Sequence, residues 1–460
     1  MISPLWTSAE IEAATGGRAS EPFEVTGVTF DSREVEPGHL FVAMPGTVAD
    51  GHQFVERAFA AGAAAALVNR LVTGPHVLVE DVATALTALA IAARRRVPDA
   101  TILGVTGSVG KTSTKEALAA ALERRCRGRV HRSVKSYNNH TGVPLSLARM
   151  PRETRFGVFE MGMNNAGEIS ALTRLVRPHV ALVTAIAPAH IENLGSIEAI
   201  ADAKAEVFEG LEPGGTAILP NDTPQRDRLL KAARRHASRI VTFGSGDADV
   251  VAVHAVRASD GGSLVTARLR ESQLTFNIAQ PGEHWVSNAL AVLAAVEAAG
   301  ADLAAAGLAL GDMGGLKGRG ERHRVPVDGG EVLLIDESYN ANPASMAATL
   351  KNLADEPVGG RRIAVLGTMR ELGSHSDEAH ASLAPHVLDA GVNSLILVGE
   401  ETQPLEEALG GRVEVQRTAS ADGAAELLLR TVRPGDAVLV KASNGVGLAR
   451  LVERVAGSAP

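Results

Sequence analysis

The chain has 460 residues, 53 acidic against 45 basic, a net charge of −8 and a single cysteine. One hydrophobic core stops growing beyond roughly 250 to 300 residues, so two or three domains are expected, and the acidic balance argues against a nucleic-acid or membrane-surface role, leaving any anionic ligand to meet local positive charge. Cys126 has no partner for an internal disulfide, which fits a reducing, cytoplasmic compartment.

The opening MISPLWTSAEIEAATGG lacks a basic segment followed by an apolar core, so no signal peptide is indicated. No run approaches the roughly 20 apolar residues of a membrane span, and no membrane insertion is expected. Residues 1–97 hold short strands, turns and one helix, as in VTGVTFDSREVEPGHLFVAMPG, and read as a small α/β domain. The basic stretches ARRRV and ERRCRGRVHR read as solvated faces.

From about residue 98 short Val/Ile-rich runs alternate with helical patterns, the signature of a mostly parallel sheet covered on both faces. TILGVT (101–106) leads through GSVG into the helix KTSTKEALAAALERR, and RFGVFE, HVALVTAIA and GGTAILP read as further buried strands. After the glycine-rich GDMGGLKGRGE (311–321) the rhythm restarts with EVLLIDE, RRIAVLG, SLILVGE and DAVLVKA. The expected fold is therefore α/β in three domains: residues 1–97, a central P-loop domain over 98–321, and a third α/β domain over 322–460.

The strongest local signal is Gly107, Ser108, Val109, Gly110, Lys111, Thr112 and Ser113, between a buried strand and a helix. Glycines let backbone amides approach phosphate, the helix start adds a positive dipole end, a lysine reaches the terminal phosphates and a hydroxyl binds Mg²⁺. The string departs from the general P-loop pattern, which has glycine where Val105 stands. Glu160 follows the run FGVF at the carboxyl edge of a strand, where it would hold Mg²⁺ or form a turn. His190 lies just past the next strand, as a metal or phosphate contact or as a surface group.

Ser196 is expected to cap a helix whose apolar stripe runs Ile197, Ile200, Ala201, Phe208 and Leu211, and Lys204 falls on that stripe. Such a lysine either snorkels to solvent or serves chemistry, and a desolvated amine can combine with CO₂ into a carbamate. Arg319 and Arg322, in KGRGERHR, suit a γ-phosphate clamp or a solvated hinge. Asn288 is expected to start a helix and either to meet adenine or to cap. Asp336, ending the strand EVLLI, takes ribose hydroxyls or initiates a turn. Asn138 and Asn139 lie in a polar turn, SYNNHTGVP, suited to a phosphorylated substrate.

In this order, DSREVEPGHLFVAMPG, TGSVGKTS, NNHTGVPLSL, FEMGMNNAGEIS, AHIENLGSIEAIADAKAEVF, SNALA, DESYNANPASM and LGTMRELG cover essentially the whole chain, which resembles the Mur ligase family. The last two strings point within that family to joining D-alanyl-D-alanine to a UDP-N-acetylmuramoyl-tripeptide, a step of peptidoglycan synthesis in the cytoplasm. The resemblance implies an ATP-dependent ligase working through an acyl phosphate, as a monomer, with two Mg²⁺ sites and a Rossmann-like C-terminal domain that binds the amine and closes on ATP. It implies Lys111 and Thr112 on ATP and Mg²⁺, Glu160 and His190 at the metals, and Lys204 as a carbamylated lysine. Asn288, Arg319 and Asp336 fall at nucleotide-binding positions. Asp31, Ser32 and Arg33 would hold the UDP-sugar, with Asn138, Asn139, Tyr339 and Asn340 on the remaining substrate. KASNGVGLARL departs from the family pattern in lacking an arginine and an acidic residue after its serine.

Overall fold

The computed structural model describes residues 4–46, 49–188, 191–258 and 261–457. Its architecture is α/β throughout, in three sheet-centred units. The first is a five-stranded sheet in the order Arg18–Ala19, His76–Leu78, Ala65–Val68, His39–Val42, Gly27–Thr29, parallel except for the first strand. The helix Val82–Arg95 packs its stripe of Leu86, Leu89 and Ala93 onto this sheet's core. Asp81 starts that helix by accepting the Thr84 amide at 2.7 Å.

The central sheet has nine strands. Thr101–Thr106 lies in its middle, between Phe156–Glu160 and Val180–Val183, with all three parallel. Both faces of these strands are buried, which is why their sequences are continuous apolar runs rather than alternating ones. The helices Lys111–Glu123 and Glu283–Ala298 cover one face, and Glu168–Val176 and Ile197–Ala205 cover the other. The sheet continues through Val250–Arg257 into two antiparallel strands, Ser263–Arg268 and Gln273–Ile278, an extension the sequence reading did not identify.

The third sheet runs Glu321–Val327, Gly330–Glu337, Ala437–Lys441, Arg362–Gly367, Ser394–Val398, Glu414–Thr418, parallel after its opening hairpin. The carboxyl ends of Gly330–Glu337 and Ala437–Lys441 face the P-loop of the central unit across a cleft. Ligands of open α/β sheets bind at such ends. Among the described residues no helix is long and apolar enough to cross a membrane.

Candidate functional site

The loop after Thr101–Thr106 is shaped by two glycines that tolerate no side chain. Gly107 has φ +146°, and a Cβ there would stand 2.0 Å from Thr184 Oγ1. Gly110 has φ +82°, and a Cβ there would meet Asn288 Oδ1 at 2.7 Å. The Thr184 hydroxyl donates to the Val109 carbonyl at 2.5 Å, and the Ser108 amide donates to Ala185 at 2.8 Å, so the loop is tied to the neighbouring strand. No side chain caps the helix Lys111–Glu123, which leaves its first amides and its dipole for an anion. Lys111 Nζ rests on the Gly107 carbonyl at 2.8 Å. Desolvation lowers its pKa, and Glu160 acts in the opposite direction.

Glu160 is fully buried at the end of its strand, one strand over from the loop. Thr112 Oγ1 donates to its Oε2 at 2.9 Å and Asn138 Nδ2 to its Oε1 at 2.8 Å. Ser136 Oγ lies 3.2 Å from the same Thr112 hydroxyl. A carboxylate, a hydroxyl and an amide thus converge beside the phosphate loop, a donor set that suits a hard dication.

Lys204 does not snorkel. Ser196 caps its helix by accepting the Ala199 amide at 3.1 Å, and Lys204 is 1 % exposed, with an Nζ that has no hydrogen-bond partner among the described residues. Burial, and then the like charge of Lys111, hold its pKa well below the ordinary lysine value, against the pull of Glu206, Glu160 and Glu168. The helix ends at Ala205 and tightens into a 3₁₀ turn, Glu206–Gly210, so the expected stripe does not continue to Leu211 as one α-helix. His190 lies outside the described residues.

A cavity of about 310 Å³ opens between the P-loop and the third sheet. His284, Trp285 and Asn288 line it from the central side, and Arg319, Glu337, Asn340 and Lys441 from the other. Asn288 does not start its helix, as the sequence suggested: the helix begins at Glu283, after Gly282, and Asn288 sits in its second turn facing Gly110. Arg319 faces the P-loop with its guanidinium 4.2 Å from the centre of the Tyr339 ring, whereas Arg322 is paired with Glu356. Asp336 spends its two oxygens on the amides of Gly318, at 2.9 Å, and Ser338, at 3.0 Å. It is the turn-forming alternative that these bonds realise, and the neighbouring Glu337 is the carboxylate lining the cavity.

Other candidate residues lie apart from this cavity. Arg33 chelates Asp31, whose pKa its guanidinium draws down to about 2. Arg33 also lines a second cleft with Glu34, Lys135 and Arg149, between the first unit and the loop after Val130–Arg132. The Asn139 side chain accepts the Gly142 amide at 2.9 Å and so organises the turn.

Residues 24–124 match the Mur ligase family catalytic domain, 105–296 the Mur ligase middle domain, and 318–444 the Mur ligase glutamate ligase domain. The chain belongs to the Mur ligase family. Relatives named UDP-N-acetylmuramoyl-tripeptide--D-alanyl-D-alanine ligase include one from Synechocystis, 35% identical over 96% of this chain and 94% of that protein, and one from Bacillus subtilis, 34% identical over 96% of each. A MurF crystal structure from Acinetobacter baumannii superposes with a TM-score of 0.85 at 28% identity over 99% of both chains. A MurF ligase from Thermotoga maritima in complex with ADP superposes at 0.76, with 27% identity over 94% of this chain and 97% of that one.

Within this Mur ligase the sequence reading missed Lys441 and Glu337. Lys441 is 3 % exposed, donates to the Asn340 carbonyl at 2.9 Å and lies 3.4 Å from Glu337 Oε2. The available signal was a lysine closing the apolar run AVLV, as Glu160 closes FGVF. It also passed over Lys115, buried one turn beyond Lys111.

Proposed function

We propose that this chain is an ATP-dependent ligase of peptidoglycan precursor synthesis that joins D-alanyl-D-alanine to a UDP-N-acetylmuramoyl-tripeptide. The observation that carries the reading is the cavity between P-loop and third sheet, with Lys111, Arg319 and an uncapped helix start directed at one place. A carboxylate is a poor electrophile, and two anions repel, so the reaction needs gathered positive charge and exclusion of water. A tripeptide carboxylate oxygen attacks the γ-phosphorus of ATP, and ADP leaves. The dipeptide amine then attacks the acyl carbon, loses a proton, and phosphate departs as the amide forms.

Lys111 and Arg319 neutralise the phosphates through these steps, and the Arg319 guanidinium is steadied by its contact with the Tyr339 ring. Glu160, Thr112 and Lys204 would hold Mg²⁺, which supplies charge neutralisation at the transferring phosphoryl group. The unpartnered Lys204 amine fits modification: burial favours its neutral form, whose nitrogen bonds to the carbon of CO₂ and releases a proton, converting a neutral buried amine into an anion beside the cation site. His190 completes this set, and Asp31 to Arg33, Asn138, Asn139, Tyr339 and Asn340 serve the substrates. The same reading makes the chain a cytoplasmic monomer divided at residues 97 and 321.

ADP release by the purified protein, followed with the UDP-linked tripeptide and a panel of amines, tests this. Release in proportion to coupled D-alanyl-D-alanine, and far slower with a diamino acid or glutamate, is expected. Equal release with no amine present would make the chain a simple ATPase and end the proposal.

A further inference from the structure

The site described above leaves Lys115 without a task, although it is the most buried lysine near it. Lys115 lies on the same helix as Lys111, with its side chain 0 % exposed. A buried ammonium is costly unless its protons find acceptors. Its Nζ donates to the Ser133 carbonyl at 2.9 Å and the Lys135 carbonyl at 2.6 Å, and lies 2.9 Å from Glu116 Oε1 and 4.0 Å from Glu160 Oε2. Its protons are thus used on the chain itself, and nothing in this arrangement offers it to a ligand.

The two carbonyls belong to the turn that follows the strand Val130–Arg132. Lys135 occupies the left-handed region there, at φ +52°, one of three non-glycine residues to do so among those described. A residue with a Cβ resists that conformation, and it persists only where surrounding bonds hold it. The turn has a visible consequence. It brings Ser136 Oγ to 3.2 Å from the Thr112 hydroxyl, and two residues later it brings Asn138 Nδ2 to 2.8 Å from Glu160. On the outer side Glu34 of the first unit takes Lys135 Nζ and, at 3.2 Å, the Tyr137 hydroxyl. The loop that orients Glu160 is therefore clamped from beneath by Lys115 and from above by the domain assigned to the UDP-sugar.

We propose that Lys115 is a positioning residue: by holding the Lys135 carbonyl in its left-handed turn, it sets Ser136 and Asn138 against Thr112 and Glu160 and fixes the carboxylate on which divalent-cation binding depends. This rests on the reading of Glu160 as a magnesium carboxylate. Removing Lys115 leaves the phosphate loop its own ties, through Thr184 and Ala185, so nucleotide binding without metal should survive. The metal-dependent increment in binding should not.

Trp285 lines the nucleotide cavity, so its fluorescence can report ADP binding in the full chain. The quantity to measure is the ratio of ADP Kd in EDTA to that in excess MgCl₂. Lys115→Met is expected to reduce this ratio roughly tenfold while changing the EDTA value by no more than about twofold, the fold-change a lost backbone constraint commonly produces. Two variants at an exposed side chain decide the case even if that substitution prevents folding. Lys135→Val resists a positive φ and Lys135→Gly accepts it, while both lose the contact with Glu34 equally. Lys135→Val is expected to lose the magnesium increment, and Lys135→Gly to retain it. An unchanged ratio in folded Lys115→Met, or equal ratios in the two Lys135 variants, overturns the proposal. A wild-type protein whose ADP affinity ignores Mg²⁺ instead removes the reading of Glu160 on which it stands.

Discussion

At the scale of single residues, the molecule concentrates its unusual chemistry in lysines that have left water. Lys204 is the extreme case, buried with an amine that finds no acceptor among the described residues. If a carbamate is its working form, Lys204→Ala removes an anion that a small carboxylate can replace in the space left behind. ADP release should fall by two to three orders of magnitude, roughly the loss seen when one preorganised charge is removed, and added formate or acetate should restore part of it. A mutant rate indifferent to the acids would mean that the lysine acts otherwise. A second titration lies away from the cavity, at His131. Its Nε2 donates to the Ser146 carbonyl at 2.7 Å, its ring leans on Phe159, and desolvation lowers its pKa from the ordinary 6.5 to about 4. The unfolded chain therefore binds a proton between those values that the folded chain refuses, so stability from this group is full above pH 6.5 and falls as pH drops toward 4. His131→Gln should remove up to about 2 kcal/mol of the stability difference between pH 7.5 and pH 5. Urea unfolding of both proteins at the two pH values measures it, and identical acid losses would exclude this histidine as the cause.

At the scale of elements, what the sequence disclosed depended on how strongly local pattern constrains structure. The strand, glycine loop and helix from Thr101 to Glu123 were legible because a two-sided buried strand is a continuous apolar run and because positive-φ glycines leave few other conformations. Glu160 and Lys204 were legible for a related reason, as charged residues where the pattern demands apolar ones. The antiparallel strands beyond Val250 were not. Ser263–Arg268 and Gln273–Ile278 alternate burial weakly, carry arginine and glutamine at their ends, and are recognisable only through pairing with a neighbour that the sequence does not specify. Lys204 was placed on the correct face although its helix was drawn too long, since the residues up to Ala205 are α-helical and only the following turn tightens. The fate of Asp336 was undecidable in sequence for a simpler reason: the amide of Gly318 that claims one of its oxygens arrives from 18 residues upstream. Lys441 acquires its setting in the same way, from Glu337 at the end of the adjacent strand and Asn340 in the loop that follows it.

At the scale of the whole molecule, the cavity exists only because the third sheet sits against the central one, and exposed ion pairs outside the cavity contribute to that placement. Arg257, on the antiparallel extension, donates to the Asp355 carbonyl at 2.7 Å and lies 3.1 Å from its carboxylate, while Lys351 meets Glu283 at 2.9 Å. Farther along the seam a Cβ at Gly373 would come within 3.0 Å of Glu192, so the two surfaces are in close apposition there. Both ion pairs are solvent-exposed, and exposed pairs contribute about 0.2–1 kcal/mol each, which is up to roughly fivefold in a closing equilibrium. Contacts of that strength suit a reversible closure, which a site that must admit two polyanions and then exclude water would use. Arg257→Glu turns one attraction into a repulsion without touching any residue that lines the cavity. It should raise the KM for ATP a few-fold at low ionic strength, and the difference from wild type should fade in concentrated salt, where the Debye length shrinks to about 3 Å at 1 M. Scattering profiles with ADP should show the variant more extended at low salt and matching wild type at high salt. A KM that is unchanged at low ionic strength would show that closure is secured by the cavity walls and the bound nucleotide alone, with the extension of the central sheet contributing nothing to it.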